Sequence, residues 1–321
     1  MSTALPQSAT ASFPATAESD RAFLGHPRGL STLFFTEMWE RFSYYGMRAF
    51  LIFYMTAAVS SGGMGLSTAT AAAVYGTYTS MVYLLSVPGG WMADRVLGQQ
   101  RAVLYGGIGI ALGHFTLAVP APGFFYLGLV FIVLGTGLLK PNISVIVGQL
   151  YAADDKRRDA GFSIFYMGIN VGAFIAPLIC GTLGQWYGWK WGFMSAGVGM
   201  LFGVSFYLWG QRFLAKDQLT MSRESAKEHR PFTRNEWAAI LGLVVLCALN
   251  TLFWAVYEQQ GNTLQLFADR NADWHVFGWE MPSTWFQSVN PFFIFTVTPL
   301  LNAFWAWQNR RGKEPSSVTK I

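Results

Sequence analysis

Hydrophobic residues follow one another in long runs that are separated by short polar segments. Eight of the runs are about 20 residues long, which is the length of an α-helix that crosses a lipid bilayer. They cover about Leu33–Met55, Ala71–Met92, Ala102–Val119, Phe124–Gly148, Phe162–Gln185, Gly188–Trp209, Trp237–Gln259 and Ser283–Trp307. The pattern therefore predicts an all-α membrane protein that crosses the lipid bilayer several times.

The composition agrees with that prediction. Hydrophobic residues make up 52% of the chain and charged residues 12%, whereas a soluble domain carries about 25% charged residues. The net charge is +5, but the basic residues are scattered between apolar runs and form no stripe, which argues against a nucleic-acid partner. Cys180 and Cys247 lie in separate apolar runs, and no metal-ligand spacing occurs. We predict no metal and no cofactor.

The positions of lysine and arginine predict the orientation in the membrane. With the N-terminus inside, the inner segments hold 17 of the 22 basic residues and the outer loops hold two, which is the distribution expected for cytoplasmic ends in a plasma membrane. The predicted organisation is a mobile cytoplasmic tail (1–30), a six-helix bundle (31–209), a cytoplasmic linker (210–236), two further helices (237–308) and a cytoplasmic tail (309–321).

Six ionisable residues fall inside the predicted spans. They are Glu37, Glu40, Arg41, Arg48, Lys140 and Glu258. A single charge at the centre of a membrane helix costs roughly 2.5–3.5 kcal/mol. Because three of the groups are acidic and three are basic, we expect them to pair with one another, to face water, or both.

Helical geometry places most of these charges on one face of the first span. At 100° per residue, Glu37, Glu40, Arg41, Tyr44, Tyr45 and Arg48 fall within an arc of about 140°. We expect this face to look into the bundle and the opposite face, with Met38, Trp39, Phe42 and Met47, to meet lipid. A purely structural ion-pair network would explain the charges. The polar neighbours Tyr83, Asn170 and Asn290 favour a translocation pathway whose groups bind protons.

Several motifs resemble one transporter family. The segment EMWERFSYYG, Glu37–Gly46, resembles the E-x-x-E-R-F-x-Y-Y-G motif of the proton-dependent oligopeptide transporters. The segment GGWMADRVLG resembles the loop between the second and third helices of the major facilitator superfamily. GLLKPNIS, FYMGINVGAFIAP, FWAVYEQQGNTL and FQSVNPFFI resemble the fourth, fifth, seventh and eighth helices of the same family, in that order.

This resemblance implies a fold and a function. The fold is a major facilitator-type bundle in which two six-helix halves rock around a central cavity. The function is proton-coupled symport of di- and tripeptides across the bacterial inner membrane. The sequence contains the complete first half and two helices of the second half, whereas the family continues with four more helices. One of these carries an acidic residue that meets the amino end of the peptide. We therefore expect a truncated or incompletely recorded transporter.

The resemblance also implies roles for individual residues. Glu37, Glu40, Arg41 and Glu258 match the proton-coupling positions. Lys140 matches a lysine that pairs with this cluster and helps to hold the peptide, and Arg48 and Glu258 match a gating salt bridge between the two halves. The expected peptide pocket comprises Arg48, Lys140, Tyr44, Tyr45, Tyr83, Asn170, Trp254, Gln287 and Asn290.

Other functions remain open at this point. The nearest alternative is a proton-coupled carrier of another small solute, such as nitrate, and a second is a peptide-binding remnant that does not transport. An intramembrane enzyme could use Glu37 and Glu40 as acid and base. However, neither a nucleophile nor a metal set accompanies these carboxylates, and the basic residues beside them would keep both ionised. We therefore do not expect an enzyme.

Overall fold

The computed structural model describes residues 20–152, 154–214 and 233–312. The predicted tails and linker therefore lie largely outside the described residues. Eleven α-helices occur in the described part: α1 Arg28–Thr56, α2 Thr68–Leu84, α3 Ser86–Met92, α4 Gln99–Leu117, α5 Pro122–Gln149, α6 Arg158–Ala176, α7 Thr182–Tyr187, α8 Trp189–Gly210, α9 Arg234–Tyr257, α10 Thr263–Asn271 and α11 Phe286–Arg310. The two strands described, β1 His275–Val276 and β2 Trp279–Glu280, form one antiparallel hairpin.

All eight predicted hydrophobic runs are helical. Short π-helical or 3-10 turns extend several of them, such as Pro177–Gly181 between α6 and α7 and Glu258–Gly261 after α9. Within the described ranges, four helical stretches are long and apolar enough to cross a membrane: Pro122–Gln149, Arg158–Tyr187, Trp189–Phe213 and Arg234–Gly261. α1 is equally long, but its four charged residues between Glu37 and Arg48 lower its hydropathy.

Local sequence signals set several helix ends. Pro122 begins α5, where its missing N–H costs nothing. Thr233 and Glu236 form a capping box at the start of α9, in which the Thr233 hydroxyl accepts from the Glu236 N–H at 3.3 Å and the Glu236 carboxylate accepts from the Thr233 N–H at 2.7 Å. Gly98 and Gly188 have φ angles of 82° and 108°, which let the chain reverse before α4 and α8.

α1 is the central helix of the molecule, with 21 of its 29 residues buried. It packs on α6 and α8. The prediction that its apolar face meets lipid is therefore wrong. Phe42 and Met47 are buried, and Phe42 and Trp39 lie against Gly199 of α8. An apolar helix face can be covered by another helix as readily as by lipid, and glycines on α8 allow this close approach.

The helices α4 and α5 approach each other closely at two pairs of glycines, Gly106 with Gly135 and Gly113 with Gly128. A Cβ atom on Gly106 would lie 2.6 Å from the Gly135 carbonyl oxygen, and one on Gly135 would lie 2.6 Å from the Gly106 carbonyl oxygen. We expect Gly106→Ala to push the helices apart and to destabilise the protein by about 1–3 kcal/mol, measured as a lower thermal midpoint in detergent. Gly109→Ala on the same helix is the control, because its Cβ would meet no atom closer than 3.4 Å. Equal midpoints for the two variants would contradict this packing.

The later helices meet the first six spans mainly at one end. We define the end of the bundle at which α1 begins as the proximal end and the end at which α1 stops as the distal end. In the distal half, the Ser288 hydroxyl donates to the Phe174 carbonyl at 2.7 Å, and the Phe174 ring contacts Phe292 and Phe295. Toward the proximal end of α11, Leu300 is 70% exposed. The two parts of the molecule are therefore joined distally.

Candidate functional site

A cavity of about 960 Å³ lies between the first six spans and the later helices α9 and α11. Its volume lies at the upper end of the range for small-molecule sites, about 300–1,000 Å³. Eleven of the thirteen residues singled out from the sequence line it: Glu37, Arg41, Tyr45, Arg48, Tyr83, Lys140, Asn170, Trp254, Glu258, Gln287 and Asn290. The fold thus gathers side chains from α1, α2, α5, α6, α9 and α11 around one space.

Two of the thirteen residues, Glu40 and Tyr44, do not line the cavity. Glu40 is fully buried behind the wall, where it forms an ion pair with Arg41. The Tyr44 ring stacks on Tyr78 and meets the Tyr45 ring edge-on. Tyr44 therefore does not contact a molecule in the cavity, whereas Tyr45 lines it.

Two carboxylates share one guanidinium group on α1. The Arg41 Nε atom lies 2.9 Å from the Glu37 Oε1 atom and is also paired with Glu40 Oε2. With both carboxylates ionised, this acidic cluster of Glu37, Glu40 and Arg41 carries a net charge of −1. Within the described residues, Glu37 Oε2 and Glu40 Oε1 accept no hydrogen bond. The cluster therefore has free acceptor atoms and a net charge that one proton would neutralise.

A second ion pair joins α1 to the distal end of α9. The Arg48 Nη2 atom lies 2.5 Å from the Glu258 Oε2 atom, and the Arg48 side chain is 4% exposed. The Arg48 Nε–H also donates to the Tyr75 hydroxyl at 2.5 Å. Gly261 allows this approach, because a Cβ atom there would overlap the Tyr75 hydroxyl and lie 2.7 Å from Arg48 Nε.

Lys140 does not pair with the acidic cluster, in contrast to the expectation from the sequence. It forms no ion pair within 4 Å among the described residues. Its ammonium group lies 4.0 Å from the centroid of the Tyr83 ring, which is a cation–π geometry. The charge of Lys140 is consequently available to an anionic group in the cavity.

Amide and hydroxyl groups provide the rest of the polar wall. The Gln287 amide donates to the Gln260 carbonyl at 2.6 Å and to the Gln265 side-chain oxygen at 2.7 Å. The Asn290 side-chain oxygen accepts from the Tyr257 hydroxyl at 3.2 Å. These neutral groups can bond a polar molecule without a preference for the sign of its charge.

Sequence reasoning missed several residues that line the cavity. They include Tyr75, Thr79, Tyr166, Tyr257 and Gln260. The four-residue spacing of Tyr75, Thr79 and Tyr83 on α2 is a signal that could have found the first two, since it places them on one helix face. The described part contains no group of three His, Cys, Asp or Glu side chains that could hold a metal ion.

The chain also matches a known family along much of its length. A profile described as PTR2, POT family, matches residues 100–230 and 233–321. The chain belongs to the POT family. The match confirms the resemblance suggested by the motifs, although its range begins after the Glu37–Gly46 segment.

Relatives extend this POT-family match over nearly all of the chain. An uncharacterized transporter of Bacillus subtilis, YclF, is 39% identical over 354 residues, which cover 94% of this chain and 72% of the relative. The peptide transporter YePEPT of Yersinia enterocolitica is 39% identical over 367 residues, covering 94% of this chain and 71% of the relative. The chain thus spans about seven-tenths of the length of these relatives.

Solved structures of POT proteins share the fold. A crystal structure of the peptide transporter POT in complex with sulfate matches with a TM-score of 0.78 and 38% identity, over 94% of this chain and 73% of that chain. A POT family transporter in complex with 5-aminolevulinic acid matches with a TM-score of 0.74 and 33% identity, over 94% of this chain and 74% of that chain. The predicted all-α, major facilitator-type membrane fold is confirmed.

Proposed function

We propose that this chain carries out proton-coupled symport of di- and tripeptides across the plasma membrane, and that it is a transporter and not an enzyme. The observation that carries the proposal is one cavity lined by Arg48, Glu258, Lys140 and two members of the acidic cluster, Glu37 and Arg41, with Glu40 buried directly behind its wall. The names of relatives support the substrate class: the Yersinia relative is named a peptide transporter, and a Lactococcus lactis relative at 36% identity is named a di-/tripeptide transporter.

The charges of the cavity suit the ends of a short peptide. A free peptide carries a carboxylate at one end, which Arg48 and Lys140 can receive through charge-assisted hydrogen bonds. The amides of Asn170, Gln287 and Asn290 can bond the peptide backbone, which is the same in every peptide. Contacts of this kind do not select a side chain, so they suit a carrier that accepts many sequences.

The acidic cluster supplies the site for the coupled proton. Its net charge of −1 becomes zero when one carboxylate is protonated, and Glu40 is fully buried, where neutralisation of charge is most favourable. A proton bound here also changes the field at Lys140 across the cavity. The proton and the peptide carboxylate therefore act on the same set of cations, which is a physical basis for coupling.

Alternating access requires that the two parts of the molecule separate at one end at a time. We infer that residues 31–209 and 237–308 move against each other, with residues 210–236 as the linker. The Arg48–Glu258 pair joins the two parts distally, so it must break when the distal end opens. Arginines cluster at the proximal helix ends, and the rule that positive residues face the cytoplasm then makes the proximal end cytoplasmic. They are Arg95, Arg101, Arg157, Arg158 and Arg212.

Uptake into vesicles tests the proposal. In proteoliposomes with an acidic exterior and no membrane potential, we expect radiolabelled dialanine to accumulate inside, since the inward proton gradient drives its entry. Excess unlabelled di- or tripeptide should compete, whereas nitrate and free alanine should not. The control is protein-free liposomes. Proton-driven uptake of labelled nitrate without uptake of dialanine would favour the small-solute carrier, and hydrolysis of dialanine without entry would favour an enzyme.

A further inference from the structure

A hydrogen-bonded contact closes the distal end between α7 and the segment before α11. The Gln185 side-chain oxygen accepts from the Thr284 N–H at 3.2 Å and from the Thr284 hydroxyl at 2.9 Å. The Gln185 amide donates to the Ser283 hydroxyl at 2.9 Å, and the Trp285 indole donates to the Thr182 hydroxyl at 2.9 Å. Four hydrogen bonds thus cross from residues 182–185 to residues 283–285.

The contact is close and largely dry. Thr284 and Ser283 are buried, although both lie at the distal end of the molecule. Thr284 sits directly on Gly181, where a Cβ atom would overlap its side chain. On the side of the later helices, the Ser283 hydroxyl also donates to the Asp269 carboxylate at 2.5 Å. The four bonds that cross the contact join neutral groups, so each contributes only about 0.5–1.5 kcal/mol net. Such a contact can break and re-form during a transport cycle.

The same segment is tied to the wall of the cavity. Gln265, which is fully buried, donates from its amide to the Ser283 carbonyl at 3.1 Å. Its side-chain oxygen accepts from Gln287, whose amide also donates to the Gln260 carbonyl. Ser283 therefore links the two sites: its hydroxyl bonds Gln185, and its carbonyl is connected through Gln265 to Gln287 in the cavity.

These hydrogen bonds make the distal contact sensitive to a molecule bound in the cavity. The amide of Gln287 has two N–H donors, and both are used in bonds within the protein. A bound molecule that accepts a hydrogen bond from Gln287 must replace one of these bonds. Replacement of the bond to Gln265 would loosen the support of Ser283. Conversely, opening of the distal contact would free Gln287 to bind.

We propose that Gln185, Thr182, Ser283 and Thr284 form a neutral latch that holds the distal end closed, and that Gln265 links this latch to Gln287 in the cavity. Gln185 and Thr284 are positioning residues, since neither lines the cavity. The proposal rests on the proposed transport function. It adds a second closure to the Arg48–Glu258 pair, one in which the hydrogen bonds between the two parts of the molecule join neutral groups.

Labelling from the distal side tests the latch. Ser80, which is exposed on the cavity wall, is changed to cysteine in a background that carries Cys247→Ser, and a membrane-impermeant maleimide is added to the distal side. We expect Thr284→Val and Gln185→Leu to raise the labelling rate about tenfold, which corresponds to about 1.4 kcal/mol. Thr296→Val is the matched control, because among the described residues the Thr296 hydroxyl bonds carbonyl groups of its own helix and no group of the latch.

Transport kinetics give a second readout. A weakened latch favours the distal-open state in which Gln287 is free, so KM for dialanine should fall together with kcat. Loss of structural support alone would not lower KM.

Unchanged labelling and unchanged KM in both folded variants would overturn the latch. Labelling does not require transport, so absence of dialanine uptake by the unmodified protein would count against the proposed function and not against the latch. If Thr284→Val fails to fold, Gln185→Leu alone decides.

Discussion

Glu258→Gln is expected to abolish proton-driven dialanine uptake and to destabilise the protein, and adding Arg48→Gln should restore stability without restoring uptake. The single change leaves the Arg48 guanidinium buried and unpaired, since this side chain is 4% exposed and Glu258 is its ion-pair partner. Breaking a buried pair costs about 3–5 kcal/mol. We expect the lower end of this range, because the Glu258 side chain is 20% exposed and solvent screens part of the interaction.

The double variant separates the two roles of Arg48. With both charges removed, neither position 48 nor position 258 holds a charge without a partner, so the thermal midpoint in detergent should return close to that of the unmodified protein. Uptake should stay absent because the peptide carboxylate has lost a partner. Glu280→Gln, on the exposed hairpin, is the control for the same substitution and should change neither quantity. Recovery of uptake in the double variant would contradict a role for Arg48 in binding.

Glu40→Gln is expected to uncouple transport from the proton gradient while exchange of peptide persists. Across one pH unit, one proton per peptide supplies about 1.36 kcal/mol, which allows about tenfold accumulation of dialanine when the membrane potential is zero. Glutamine at position 40 takes up no proton, and with Glu37 ionised it makes the net charge of the acidic cluster zero. The proton gradient then no longer acts through Glu40, which we propose as the coupling group, so accumulation should fall to the level of passive equilibration.

Counterflow distinguishes uncoupling from a damaged fold. Vesicles loaded with unlabelled dialanine should still take up labelled dialanine through the Glu40→Gln variant, since this exchange needs no net proton movement. The Glu280→Gln variant should keep both gradient-driven uptake and counterflow. Tenfold accumulation by Glu40→Gln would remove Glu40 from proton coupling and would leave Glu37 and Glu258 as the candidates.

The sequence predicted the helices well because the length of an apolar run is decided by the thickness of the bilayer. It did not predict what covers each helix. The face of α1 that carries Trp39 and Phe42 was expected to meet lipid, but α8 packs against it. Lipid tails and apolar side chains are similar environments for such a face, so hydropathy does not distinguish them. The glycines of α8 decide the outcome, and their partner is known only from the fold.

The sequence predicted which residues line the candidate site better than it predicted which of them contact one another. Family motifs and helical periodicity identified eleven residues that meet around the cavity. Tyr44 and Tyr45 are adjacent in sequence and fall on the same broad arc, yet only Tyr45 lines the cavity. Lys140 was expected beside the acidic cluster but lies over the Tyr83 ring. Such differences depend on rotamers and on distances between helices, which residue spacing does not encode.

The residues of the distal latch could not be predicted from the sequence at all. Gln185 and Thr284 are 99 residues apart in the sequence, and their hydrogen bonds exist only because α7 and the segment before α11 meet. Glutamine and threonine near a helix end are common surface residues, and no motif marks them. The structure is needed to show that both hydrogen-bonding groups of the Gln185 amide are used across one contact.

Peptide-driven acidification tests the central claim, namely that compensating charges around one cavity take up a proton together with a peptide. Proteoliposomes loaded with a pH-sensitive dye are held at equal pH inside and outside and at zero membrane potential, and dialanine is added outside. The account predicts that the interior acidifies with the unmodified protein and not with the Glu40→Gln variant. Entry of labelled dialanine with no change in internal pH would contradict it.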